Sequence, residues 1–166
     1  MSGIYTCLID TPLGQMRASA KNEALTGLWF EGQKYYPNTK EWIEADEHKI
    51  FMVLKVWLEG YFAGKKRNHD FPLSPEGTPF QLKVWNTLGK IEYAKNTTYG
   101  KIAMSIAHDT MLRVSARAVG GAIRRNPISI LIPCHRVIGV NQSLTGYAGG
   151  IDKKQFLLEL ESKYKN

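Results

Sequence analysis

The sequence predicts an α+β fold, with strands gathered in its first thirty residues and helices over its second half. Two changes of pattern carry that reading. Near the start, short apolar runs are separated by turn-forming residues, as hairpins require. From Lys40 onward apolar residues recur at three- and four-residue steps, the helical period. With 166 residues the chain has room for one ordinary domain or two small packed ones.

Ile4, Cys7, Leu8 and Ile9 belong to a first strand that runs into the turn Thr11-Pro12-Leu13-Gly14. Met16 to Ala20 returns as its hairpin partner, and Leu25 to Phe30 supplies another strand. Lys40 to Phe62 then places Ile43, Ile50, Leu54, Trp57, Leu58 and Tyr61 at helical steps, which predicts one interrupted helix or two. Gly64-Lys65-Lys66-Arg67-Asn68, followed by Pro72, Pro75, Gly77 and Pro79, reads as a linker. Beyond it, Thr78 caps a helix striped by Phe80, Val84, Leu88 and Ile91. Thr98 caps a second, with Ile102, Ala103 and Ile106 inward. A third, Ser115 to Arg125, has small residues on one side and carries three arginines until Asn126-Pro127 stops it. The β-branched run Ile128 to Ile132 reads as a strand leading into Pro133-Cys134-His135-Arg136-Val137. After a Gly-rich loop over 141–150, Asp152 and Gln155 form a capping box for a last helix with Phe156, Leu157 and Leu160 as its apolar face. Glu161, one turn after Leu157, falls at the border of that face, where a carboxylate needs a partner.

The formal net charge is +7, and it is unevenly placed. Residues 1–79 hold nine Lys/Arg against ten Asp/Glu, whereas residues 80–166 hold 13 against five. A basic second half favours a polyanionic partner there, although excess charge also serves solubility. Two successive short helices, the second basic and small-faced, have the outline of a helix-turn-helix, an outline that many helical pairs share without binding nucleic acid. No stretch approaches the ~18 apolar residues of a membrane helix, and Asp10 and Pro12 interrupt the run that a signal peptide needs. Cys7 and Cys134, 127 positions apart, form neither a CxxC pair nor a Cys/His ligand spacing. The expectation is a cytoplasmic chain with reduced thiols, no membrane partner, no metal and no cofactor.

Cys134 is the residue on which chemistry could turn. Free cysteines are most often buried and inert. Three neighbours favour the nucleophilic thiolate instead: His135 as base or positive charge, Arg136 as a fixed cation, and Pro133 as a restraint on the backbone that presents the sulfur. Adjacent residues of an extended segment point to opposite sides, so a Cys–His link would run through water. Glu161 would then orient the imidazole and stabilise its charged form, completing a nucleophile, base and orienter.

The block Ile130-Leu131-Ile132-Pro133-Cys134-His135-Arg136-Val137, preceded by Arg117-Ala118-Val119-Gly120-Gly121-Ala122 and Asn126-Pro127, closely resembles the methylated-DNA–protein-cysteine methyltransferases, or O6-alkylguanine-DNA alkyltransferases. The resemblance covers residues 78–161 and is most specific over 116–137; the N-terminal part matches mainly at Thr11-Pro12-Leu13-Gly14. It implies an N-terminal ribonuclease-H-like α/β domain, residues 1–75, packed on a C-terminal helical domain, residues 76–166, with a winged-helix-like helix-turn-helix. It further implies single-turnover repair of double-stranded DNA containing O6-alkylguanine, by a monomer that flips the base out and takes the alkyl group onto Cys134. Under it, His135 acts through a water with Glu161 behind it, and Asn126 braces the segment. Tyr99 helps rotate the nucleotide, and Arg117 fills the vacated stack. Ala116, Ala118, Gly120 and Arg124 belong to the DNA-facing helix. Backbone groups at Cys134 and Val137 read the guanine edge, with Tyr147, Ala148 and Gly149 around O6.

The chain departs from the family pattern in three places. Residues 107–114, between the two helices of the pair, run longer than in most members; Ile91-Glu92-Tyr93-Ala94 replaces a Pro- and Gly-containing form; and Ala148 lacks a hydroxyl that some relatives carry. Two other classes stand beside this reading: a module that binds alkylated DNA without reacting, and a cysteine hydrolase with repeated turnover.

Overall fold

The computed structural model describes residues 3–165. The chain divides into two compact units, one running to Glu76 and including Pro127–Ser129, the other formed by Gly77–Asn126 and the residues from Ile130 onward.

In the first unit, β1 (Ile4–Thr11), β2 (Gly14–Lys21), β3 (Ala24–Phe30) and the short β4 (Ile43–Glu44) make one sheet in the order β3-β2-β1-β4. The hairpin closes at the predicted turn: the Thr11 hydroxyl accepts from the Leu13 amide and donates to the Gly14 carbonyl, and Gly14 takes φ +95°, which a side chain would resist. Pairing sets Cys7 opposite Ala18 and Ile9 opposite Met16, all buried, so one face of the hairpin enters the core. Helix α1 (Lys49–Phe62) is capped by the His48 ring accepting from the Ile50 amide, and it buries Ile50, Phe51, Leu54, Leu58 and Tyr61. Leu28 of β3 exchanges backbone hydrogen bonds with Pro127 and Ser129, at 2.7 and 2.9 Å.

Two expectations change. The helical steps read from Lys40 begin only at Lys49: Ile43 sits on β4, which pairs parallel with β1, because a free strand edge satisfied its backbone. The run Ile128 to Ile132 is not a strand. Beyond a single bridge from Ile128 to Leu28 it forms no ladder, and Ile130 turns back at φ +71°. Its apolar side chains report burial on every side, which a buried turn satisfies as well as a strand does.

In the second unit, α2 (Pro79–Leu88), α3 (Tyr99–Thr110), α4 (Ala116–Arg124) and α5 (Ile151–Lys163) accompany a two-stranded parallel pair, β5 (Thr97–Thr98) with β6 (Val137–Ile138). Thr78 and Gln81 form a full capping box on α2, Thr98 caps α3 and Ser115 caps α4. Each such cap contributes about 1 kcal/mol. The Trp85 indole donates to the Ala122 carbonyl at 2.8 Å, tying α2 to α4 inside the core. Ile102, Ala103 and Ile106 face inward from α3, as do Val119, Gly120, Ala122 and Ile123 from α4, so α3 and α4 form a packed helix-turn-helix. Ile91 lies past the end of α2.

Helix α5 starts differently from its sequence signal. Its cap is Gly150 at φ +101°, with no side-chain hydrogen bond; Asp152 lies in the first turn, and Gln155 bonds Glu159 instead. Phe156 is exposed, and the buried face is Lys154, Leu157 and Glu161. Among the described residues no helix is long and apolar enough to cross a membrane.

Candidate active site

Cys134, His135 and Arg136 form a short 3-10 turn, entered from Pro133 at φ −80°, ψ 64°. This turn corrects the expectation of an extended segment. It sends His135 and Arg136 to the same place, the carboxylate of Glu161 on α5. The His135 Nε2 lies 2.7 Å from Glu161 Oε2. The Arg136 Nε donates to Oε1 at 2.8 Å and its Nη2 to Oε2 at 3.0 Å, a two-pronged pair. The Ala94 amide adds a bond to Oε1 at 3.0 Å, and the Arg136 Nη1 donates to the Ile91 carbonyl at 2.6 Å. Arg136 is therefore the partner of Glu161 rather than a cation for the thiol. Segment 91–94, where the chain departs from the family pattern, supplies two backbone groups to this cluster.

Burial would raise the Glu161 carboxyl, but His135 and Arg136 overcome it and hold the group well below the usual carboxylate range. For His135 burial wins. It pushes the imidazole below its ordinary value despite Glu161, so the ring is neutral at physiological pH. Glu161 does favour the charged imidazole, as expected, but burial outweighs it. A neutral ring donates from Nε2–H to Glu161 and keeps a lone pair on Nδ1. That Nδ1 is buried with no hydrogen-bond partner among the described residues.

Cys134 is 5% exposed. Burial pushes its thiol up; Asn126, the charge of Lys154 and the nearby Tyr147 pull the other way. Asn126 follows α4 and also donates from Nδ2 to the Ile132 carbonyl at 2.8 Å, bracing the approach to the cysteine. Val137 is buried, with its amide on the Cys134 carbonyl. The β5/β6 pair sets Tyr99, the first residue of α3, beside this segment, and its hydroxyl donates to the Thr145 carbonyl at 3.0 Å. Tyr147, Ala148 and Gly149 are half-buried in the loop before α5.

Cys134, His135, Glu161, Asn126 and Tyr147 thus come together. Arg117, Ala116, Ala118 and Arg124 do not join them: all four are exposed on α4, while Gly120 is buried beneath. Lys154 escaped sequence reasoning. It is fully buried, and its Nζ donates to the Thr145 carbonyl at 2.8 Å. Its signal was helical spacing, since 154, 157 and 161 share one face of α5.

A two-unit α+β chain with a helix-turn-helix and a buried Cys–His–Glu arrangement defines the class: a DNA-binding protein with a nucleophilic cysteine. Residues 4–75 match the ribonuclease-like domain model, and residues 79–163 the DNA-binding domain model, of 6-O-methylguanine DNA methyltransferase. The chain is 40% identical over 162 residues to the methylated-DNA–protein-cysteine methyltransferase of Haemophilus influenzae, covering 97% of this chain and 88% of that protein. It is 43% identical to that of Methanosarcina acetivorans, covering 95% and 98%. The Mycobacterium tuberculosis OGT structure in complex with DNA superposes with a TM-score of 0.83 at 38% identity, covering 97% of this chain and 93% of that one. The chain belongs to the methylated-DNA–protein-cysteine methyltransferase family, whose members repair DNA by transferring an alkyl group to a protein cysteine.

Proposed function

We propose that the chain acts as a cytoplasmic monomer on O6-alkylguanine in double-stranded DNA, with Cys134 as the alkyl acceptor. One observation carries this: the buried His135 has Glu161 on Nε2 and a lone pair on Nδ1, next in the chain to the buried Cys134, whose approach Asn126 braces. His135, through a water, takes the thiol proton. The sulfur then attacks the alkyl carbon; the S–C bond forms, the C–O6 bond breaks, and its electron pair remains on the guanine, which is then protonated. Backbone groups of Val137 and of the Tyr147-Ala148-Gly149 loop receive the base. The product thioether is stable, so each molecule reacts once.

A base inside a duplex cannot reach a buried sulfur, so it has to be flipped out, at a cost of a few kcal/mol. Arg117, exposed in the first turn of α4 and flanked by Ala116 and Ala118, is the side chain we assign to the gap. Small neighbours let that helix lie close against the DNA, and Arg124 contacts phosphate. Tyr99 assists rotation from the start of α3. The test is incubation with duplex DNA containing O6-methylguanine, followed by mapping of the modified peptide. A gain of one methyl on Cys134, saturating at one per molecule, is the expected result. Tight binding with no gain in mass would make the chain a lesion-binding module, and repeated turnover would make it a hydrolase.

A further inference from the structure

The turn between α3 and α4 holds two large apolar side chains in solvent. Met111 is 87% exposed and Leu112 67%. Local bonds fix them there. Met111 ends α3 in the left-handed region, at φ 60°, ψ 20°, with its amide on the Ala107 carbonyl at 2.8 Å. The Thr110 hydroxyl donates to the Ile106 carbonyl at 2.7 Å and accepts from the Leu112 amide at 3.3 Å. Left-handed backbone suits glycine or asparagine, and so exposed a methionine gains little from packing in return. Strain at a tied, exposed position points to a use outside the fold. The pair falls within residues 107–114, where the chain departs from the family pattern.

The surroundings select what covers it. Ser115, three residues after Leu112, caps α4, and Arg117 lies in the first turn of that helix. Residues 108–125 hold four arginines against one aspartate. A second copy of so basic a face would be repelled, whereas a polyanion is drawn to it. Methionine and leucine are among the apolar wedges that proteins push between base pairs from the minor groove.

We propose that Met111 and Leu112 form a wedge that enters the duplex beside the lesion and unstacks one neighbouring base step. This rests on the reading of α4 as the helix laid against DNA containing O6-alkylguanine. Arg117 fills the place of the extruded base; the Met111-Leu112 pair acts at a different step, where it loosens the stack that the lesion must leave. Five residues from Leu112 to Arg117 reach at most about 17 Å, so the step lies within about five base pairs of the lesion. The wedge carries no charge, so it adds contact and unstacking without adding a phosphate contact.

The experiment places 2-aminopurine, which brightens on unstacking, in turn at about five positions on either side of O6-methylguanine, the span set by that reach. With the full chain bound, one flanking position should brighten. Met111→Gln with Leu112→Gln should abolish that signal and slow single-turnover repair of the duplex about tenfold, the loss expected when apolar contact is removed. Transfer from free O6-benzylguanine and the slope of log affinity against log salt should stay unchanged. Arg117→Ala should keep the flanking signal. A signal that survives in the doubly altered chain, or that the unaltered chain never gives, overturns the proposal. Equal slowing on the free base also overturns it, by placing the effect in the fold. Loss of self-association with the flanking signal intact would make the face a contact between copies and likewise overturn it. Methyl transfer is measured in parallel on the unaltered chain: its absence from Cys134 discards the acceptor reading, whereas the flanking signal judges the wedge independently, because unstacking needs only bound duplex.

Discussion

Glu161→Gln tests the cluster behind the nucleophile. The carboxylate is 1% exposed and accepts four hydrogen bonds, from two nitrogens of Arg136, from His135 and from the Ala94 amide. A glutamine keeps the bonds on one oxygen and turns an NH2 group toward the His135 Nε2–H and the Arg136 Nη2, so donors meet donors and a mostly buried guanidinium loses its counter-charge. Breaking a buried pair from one side costs about 3–5 kcal/mol. Arg136 lies at the edge of the core, which places the expected loss near the lower figure. For a chain of this length that corresponds to a fall in Tm of roughly 10 °C. His135 relieves the clash by moving its proton to Nδ1, which removes the lone pair intended for the thiol proton, so alkyl transfer slows more than the loss of stability explains. The pH dependence follows from the depressed Glu161 carboxyl. Its stabilising effect is fully present above the ordinary carboxylate range and is lost as pH falls below it, so the gap between the two proteins narrows toward low pH. Calorimetry at neutral and acid pH, with single-turnover transfer rates, measures both effects. A Tm within about 2 °C of the unaltered chain at neutral pH, or a gap that stays constant on acidification, would refute the reasoning.

Cys134→Ser should abolish alkyl transfer and keep DNA affinity within a few-fold, while Cys7→Ser, at a thiol that burial pushes up to about 11, should leave transfer intact; transfer rates and gel shifts decide both. Arg117→Ala should slow repair in duplex DNA far more than transfer from free O6-benzylguanine, because the free base needs no extrusion, and equal slowing on both would remove its role in the vacated stack. Ala94 sits at φ +61°, where an L side chain costs about 1–2 kcal/mol; Ala94→Gly should therefore stabilise the chain by roughly 0.5–1 kcal/mol in urea titrations, and a destabilised variant would count against strain at this turn.

Local signals in the sequence determined much of this protein. The Thr11–Gly14 turn, the Thr78 and Thr98 caps and the inward stripe of α3 depend on neighbours within a few residues, and all stand as the sequence implies. The block around Cys134 was legible because it is contiguous, Pro133 through Val137. Tertiary structure decided what depends on partners distant in the chain. Ile43 became a strand because β1 offered an edge, and Ile128 to Ile132 became a buried turn because apolar content reports burial and not conformation. Arg136 turned to Glu161, 25 residues on, only because the 134–136 turn brings it there. The burial of Lys154 depends on the packing of α5 against that turn. The physical reason is common to these cases: hydrogen bonds and burial over short spans are set by the residues themselves, whereas the ionisation and partners of a buried charge depend on the whole field of groups that folding assembles around it.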